Sequence, residues 1–222
     1  MIADGRRQIA GFGLYLLGLV LAITGYFGPW VGHQTAALTV TGFELAHLTR
    51  LQGAPASLAP DLFLTPLVAA AILLGLLPNQ ATNKLTRHLP TLAAALLLLA
   101  ALPPYQFIRE PQYRGQLALA TGGLVLVLLT PLARRLPRRA WAVLVALLPL
   151  AGVAPALFQF ALLRPLIVAL YNRPLSLGWG LVICIAGFAL LLAYGILNLY
   201  PPTPPETRTP QGYPSVWPRR NR

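Results

Sequence analysis

The sequence predicts an all-α, polytopic membrane protein with six transmembrane helices and both termini on the cytoplasmic side. Three observations lead there. Long stretches carry no charge at all, and charged residues make up only 10% of the chain against about a quarter in soluble domains. The basic residues gather at the junctions between apolar runs. Such a pattern sets orientation in a bilayer, so the formal charge of +12 does not point to nucleic acid as a partner.

The first run, about 8–30, follows Arg6 and Arg7 and is too long for the apolar centre of a signal peptide, which predicts an uncleaved span. Gly11, Gly18 and Gly25 recur every seven residues along it and place small residues on one face, where another helix can approach closely. Further spans are expected at about 62–78, 91–108, 116–133, 140–163 and 178–200. Pro103-Pro104 is expected to bend or fray the end of the third span, and Pro149 and Pro155 interrupt the fifth. The segment 164–177 looks too short and too punctuated to cross, and is expected to lie along the interface. From Pro201 the chain turns proline-rich and polar, which predicts a cytoplasmic tail, 201–222, in extended or disordered geometry after a membrane domain over 1–200.

Charge orients the six spans. With the amino terminus inside, the inner segments hold Arg6, Arg7, Lys84, Arg87, Arg134, Arg135, Arg138, Arg139, Arg208, Arg219, Arg220 and Arg222. The outer segments hold only Arg50, Arg109, Arg114, Arg164 and Arg173, an excess of 12 over 5.

The segment 27–51 stands apart. Thr41-Gly42-Phe43-Glu44 matches a capping box, in which Thr41 caps a helix and Glu44 reaches back to the Thr41 backbone. Leu45, Leu48 and Leu51 form an apolar stripe beside Phe43, with Glu44, His47 and Arg50 on the wet side. This predicts an extracytoplasmic amphipathic helix after the first span, with Trp30 anchored at the interface.

Chemistry-bearing groups are few. No Asp, Glu, Lys, Arg or His lies in the middle of a predicted span, which argues against proton pumps and ion-coupled carriers. Thr24, Thr121, Tyr194, Cys184, Gln159 and Asn198 form the polar set within or near the ends of the spans, expected to bond between helices. Cys184 stands alone, so no intramolecular disulfide is possible. His33, Glu44, His47 and Asp61 share the outer side and are weak candidates for a metal, although the capping box already assigns Glu44 a structural task. No GxSxG, HExxH or phosphate-binding glycine loop occurs, and neither catalysis nor a cofactor is expected.

Pro29, Trp30, Leu38, Thr41, Gly42, Leu45 and Ala46 resemble the first outer loop of uncharacterised bacterial multi-span membrane proteins, in which a helix ends in Pro-Trp and an LTGxxLA-like segment follows. The resemblance covers about twenty residues and implies no activity.

The expected role is a non-catalytic membrane subunit, scaffold or assembly factor in a bacterial-type cytoplasmic (inner) membrane. Its expected partners are the lipid bilayer and other membrane subunits or further copies of itself. The alternative is a transport component, either a partner-powered permease or a small channel. Trp30, Phe43, Leu45, Leu48 and Leu51 in the outer loop, and Tyr213 and Trp217 in the tail, are the candidate interface residues.

Overall fold

Helix α1 (Ile2–Phe27) and helix α7 (Trp179–Leu199) meet along glycine, and the other helices are arranged around that pair. The computed structural model describes residues 2–32, 39–51, 58–77, 84–171 and 176–200. Within them the chain is mostly helical, and three short strands form a small sheet at one end. A β-carbon at Gly18 would lie 3.1 Å from the Gly187 carbonyl oxygen, and one at Gly25 would overlap the backbone of Cys184 and Gly180. The contacts run in opposite chain directions, so the two helices are antiparallel. Glycine here removes the side chain that would hold the backbones apart. The seven-residue glycine spacing on α1 is answered on α7 by Gly180 and Gly187.

Helix α6 (Arg138–Tyr171) packs antiparallel on α7, so closely that a β-carbon at Gly195 would lie 2.7 Å from the Ala146 α-carbon. Helix α3 (Thr65–Leu76), led in by a 3-10 turn at Pro60–Leu64, touches α1, α6, α4 (Lys84–Ala100) and α5 (Arg114–Leu129). It is therefore the enclosed helix, and nine of its residues are buried, Leu67, Ala71, Leu73 and Leu76 among them. Helix α2 (Gly42–Leu51) lies over one end, beside the sheet.

Polar side chains stitch the helices where hydrocarbon cannot. The Tyr15 hydroxyl donates to the Leu73 carbonyl at 2.6 Å, and the Gln116 amide donates to the Ala101 carbonyl at 2.7 Å. The Thr65 hydroxyl lies 2.7 Å from the Gly152 carbonyl and 2.8 Å from that of Leu62. Two residues expected to bond between helices stay local instead. Thr121 donates to Leu117 and Asn198 to Tyr194, each within its own helix, because an i−4 carbonyl is always within reach of a short polar side chain.

Several boundaries differ from those expected. α6 does not stop near 163 with a surface segment after it. It runs unbroken for 34 residues through Pro149, Pro155 and Pro165 to Tyr171. Each proline removes one backbone bond but leaves its neighbours, and in apolar surroundings no water replaces the bonds a break would free. The Thr65 hydroxyl beside the Gly152 carbonyl adds a polar contact from α3 to the backbone of this proline-containing helix. α1 ends at Phe27, because the chain from Pro29 enters a strand. α4 begins at Lys84 and ends at Ala100, just ahead of Pro103-Pro104, which carry no N–H to continue the ladder.

The outward faces are apolar. Val20, Leu92, Leu96, Leu128, Phe158 and Leu197 are each more than half exposed, far beyond the scattered apolar residues of a soluble surface. Three helical stretches, Pro111–Ala133, Arg139–Ala169 and Trp179–Leu199, are long and apolar enough to cross a membrane. The other three runs expected to span fall on shorter apolar helices, Gly11–Phe27, Pro60–Leu76 and His88–Ala100.

Candidate functional site: a cap fastened over one end of the helices

The cap begins at strand β1 (Pro29–Gly32), the middle strand of an antiparallel sheet with β2 (Thr39–Thr41) on one side and β3 (Ser176–Leu177) on the other. Pro29 pairs with Thr41 and Val31 with Val40, so Trp30 is an extra residue on β1. That bulge lets Trp30 and Val31 both turn inward, which a regular strand forbids. The Trp30 indole N–H donates to the Gly25 carbonyl at 3.1 Å, and its ring meets Tyr26 and Phe160 edge-on at centroid distances of 6.3 and 6.0 Å. Gly42 lies under the same ring, where a β-carbon would come within 2.9 Å of it. The Gly178 N–H donates to the Trp30 carbonyl at 2.8 Å and brings the far end of the chain to the strand.

Helix α2 starts on a reciprocal pair of hydrogen bonds. The Thr41 N–H donates to the Glu44 carboxylate at 2.8 Å, and the Glu44 N–H donates to the Thr41 hydroxyl oxygen at 3.2 Å. Leu45 and Ala46 are buried, while Phe43 and Leu48 pack half-buried against the core. Glu44 and His47 are exposed.

Arg50 departs from the wet stripe it was expected to share. Its side chain is only 5% exposed, forms an ion pair with Asp61, and lies over the Tyr113 ring at 4.8 Å. Tyr113 in turn stacks on Phe107 at 5.3 Å. A β-carbon at Gly115 would overlap the Asp61 carboxylate, so α5 starts in close contact with the ion pair. The Arg50 Nε is buried with no hydrogen-bond partner among the described residues. Asp61 thus clasps α2 to the turn that leads into α3, beside the first turn of α5. On the α6 side, the Gln159 side-chain oxygen accepts from the Ala59 N–H at 3.0 Å.

Two of the candidate interface residues are corrected by this arrangement. Trp30 and Leu45 are fully buried, so neither offers a surface to lipid or to a partner. Trp30 turns inward because the bulge aims it at Gly25 and Phe160, and Leu45 because α2 lies flat against the helices below. Leu51 closes α2. His33, Tyr213 and Trp217 lie outside the described residues. Of the metal candidates, Glu44 is engaged by Thr41 and Asp61 by Arg50, and among the described residues no group of three His, Cys, Asp or Glu side chains converges.

Sequence reasoning missed the Arg50–Asp61–Tyr113 clasp and the Gln159 contact. One signal was available: the chain has only five acidic residues, and Asp61 stands at the mouth of an apolar run, where a carboxylate needs a cation.

The fold defines a class: a mostly helical chain with an apolar exterior and helices able to cross a bilayer, the character of a membrane protein. No family model, curated protein or solved structure matches the chain.

Proposed function

We propose that this chain is a non-catalytic integral membrane subunit, scaffold or assembly factor, and that the cap is the surface it presents to a partner. The supporting observation is the use of the cap's inward-facing polar groups. Arg50, Asp61, Gln159 and the Trp30 N–H are spent on holding the cap to the helices, while Glu44 and His47 stay exposed on a helix whose other face is seated. A rigid surface of this kind suits recognition, which rewards preorganisation.

In this reading six helices cross a bacterial-type cytoplasmic membrane, with both termini inside and the cap outside. Positive charge supports the orientation. The short helix at 60–76 fits a buried span: its 3-10 turn and twelve α-helical residues extend about 28 Å, close to the ~30 Å hydrocarbon core. Other helices shield α3 from lipid.

Purification of the tagged full chain in mild detergent tests the reading. A stoichiometric membrane partner, lost on His47→Glu with the Thr41–Glu44 helix cap left intact, supports it. A homo-oligomer that moves solute across liposomes overturns it in favour of transport. Reporter fusions at the carboxyl terminus and within 33–38 test the orientation, and a periplasmic signal from the carboxyl terminus would refute it.

A further inference from the structure

At the end of the helices away from the cap, α5 passes into a 3-10 turn (Thr130–Arg135) and α6 begins at Arg138. The Leu136 N–H donates to the Ala133 carbonyl and the Trp141 N–H to the Pro137 carbonyl, so the connection is tight. The segment holds four arginines within six residues. Arg135 and Arg139 are exposed, and neither forms an ion pair among the described residues. The first turns on both sides carry no acidic residue. Leu132 and Leu136 stand among these arginines and are 53% and 42% exposed. A basic segment that also bares leucines fits neither water alone nor hydrocarbon alone. It fits the boundary, with leucines among acyl chains and guanidinium groups on phosphates.

We propose that 130–139 is a binding surface for anionic phospholipid headgroups. The proposal rests on the membrane reading above, which places this end at the cytoplasmic leaflet, and it adds a ligand class to it. The planar guanidinium donates two parallel hydrogen bonds to a phosphate, which an ammonium cannot match. The exposed leucines favour a lipid over free phosphate, because a soluble anion gains nothing from them.

The test uses the full chain in phosphatidylcholine vesicles holding a minor share of phosphatidylglycerol, with spin-labelled versions of each lipid. The motionally restricted fraction reports lipid in contact with the protein. Restricted phosphatidylglycerol should exceed phosphatidylcholine by at least about fivefold, the weight of one well-placed arginine at an anionic surface. The variant R134Q/R135Q/R138Q/R139Q should bring the ratio near one, R135K/R139K should keep part of it, and R109Q/R114Q at the other end should leave it unchanged. Should the fourfold variant fail to insert, R135Q and R139Q singly should each lower the ratio, as should raising salt on the unaltered chain. An unchanged ratio in the arginine variants overturns the proposal, as does specific displacement by inorganic phosphate at matched ionic strength. Restricted lipid without headgroup preference refutes this surface alone, whereas no restricted lipid at all refutes the membrane reading beneath it.

Discussion

Gly25 of α1 lies so close to Cys184 of α7 that a β-carbon on the glycine would overlap the cysteine amide nitrogen. Where one backbone rests on another, neither side chain nor solvent can give way, and substitution must move a whole helix. Gly25→Leu is expected to destabilise the protein by about 3 kcal/mol or more, seen as earlier thermal unfolding in mild detergent. Gly122 provides the contrast, because nothing lies within 4 Å of its β position. Gly122→Ala should be neutral or stabilise by up to ~1 kcal/mol through helix propensity. Equal losses at both positions would contradict the seam.

Trp30 and Gly42 form the second close contact, and it holds the cap. Trp30→Ala should cost about 3–5 kcal/mol, the range for emptying an aromatic site in a packed core. Gly42→Val should cost about 1–3 kcal/mol by pushing on the ring. Limited proteolysis in detergent should then cut the cap before the helices. Unchanged cleavage in both variants would show that the ring does not seat it.

The Arg50–Asp61 pair is expected to be asymmetric. Asp61→Ala leaves a guanidinium buried without its carboxylate and should cost about 2–3 kcal/mol. That is less than for a fully enclosed pair, since Asp61 keeps 24% of its exposure. Arg50→Met/Asp61→Ala should cost less than the sum of the single changes. Arg50→Lys should not restore full stability, because the flat stack on Tyr113 needs a guanidinium. A double-mutant cycle read by thermal unfolding decides this; additive losses would mean the two charges do not interact.

Thr65→Val removes the hydroxyl that reaches the Gly152 carbonyl while keeping nearly the same shape. The expected loss is about 1 kcal/mol. Thr121→Val, which loses only a bond within its own helix, should cost less.

The helices were legible in the sequence because each apolar run must bury or shed its surface as a unit, and the heptad glycines of α1 allowed a close neighbour without requiring one. What stayed hidden were the pairings. That Gly180 and Gly187 complete the seam, or that Arg50 leaves the wet side of α2 for Asp61 and Tyr113, depends on which elements meet. The prolines of α6 misled for a related reason. A proline's local effect is to end a helix, and in apolar surroundings a break would leave further backbone groups unmet, so this one continues.

By itself the sequence determined an apolar, mostly helical chain with its charges at the junctions, since hydropathy and charge act on each segment alone. The tertiary structure decided that Trp30 is a buried rivet, that α3 is enclosed, and that an ion pair fastens the cap. Each of those outcomes depends on contacts between residues far apart in the chain, and no single segment contains them.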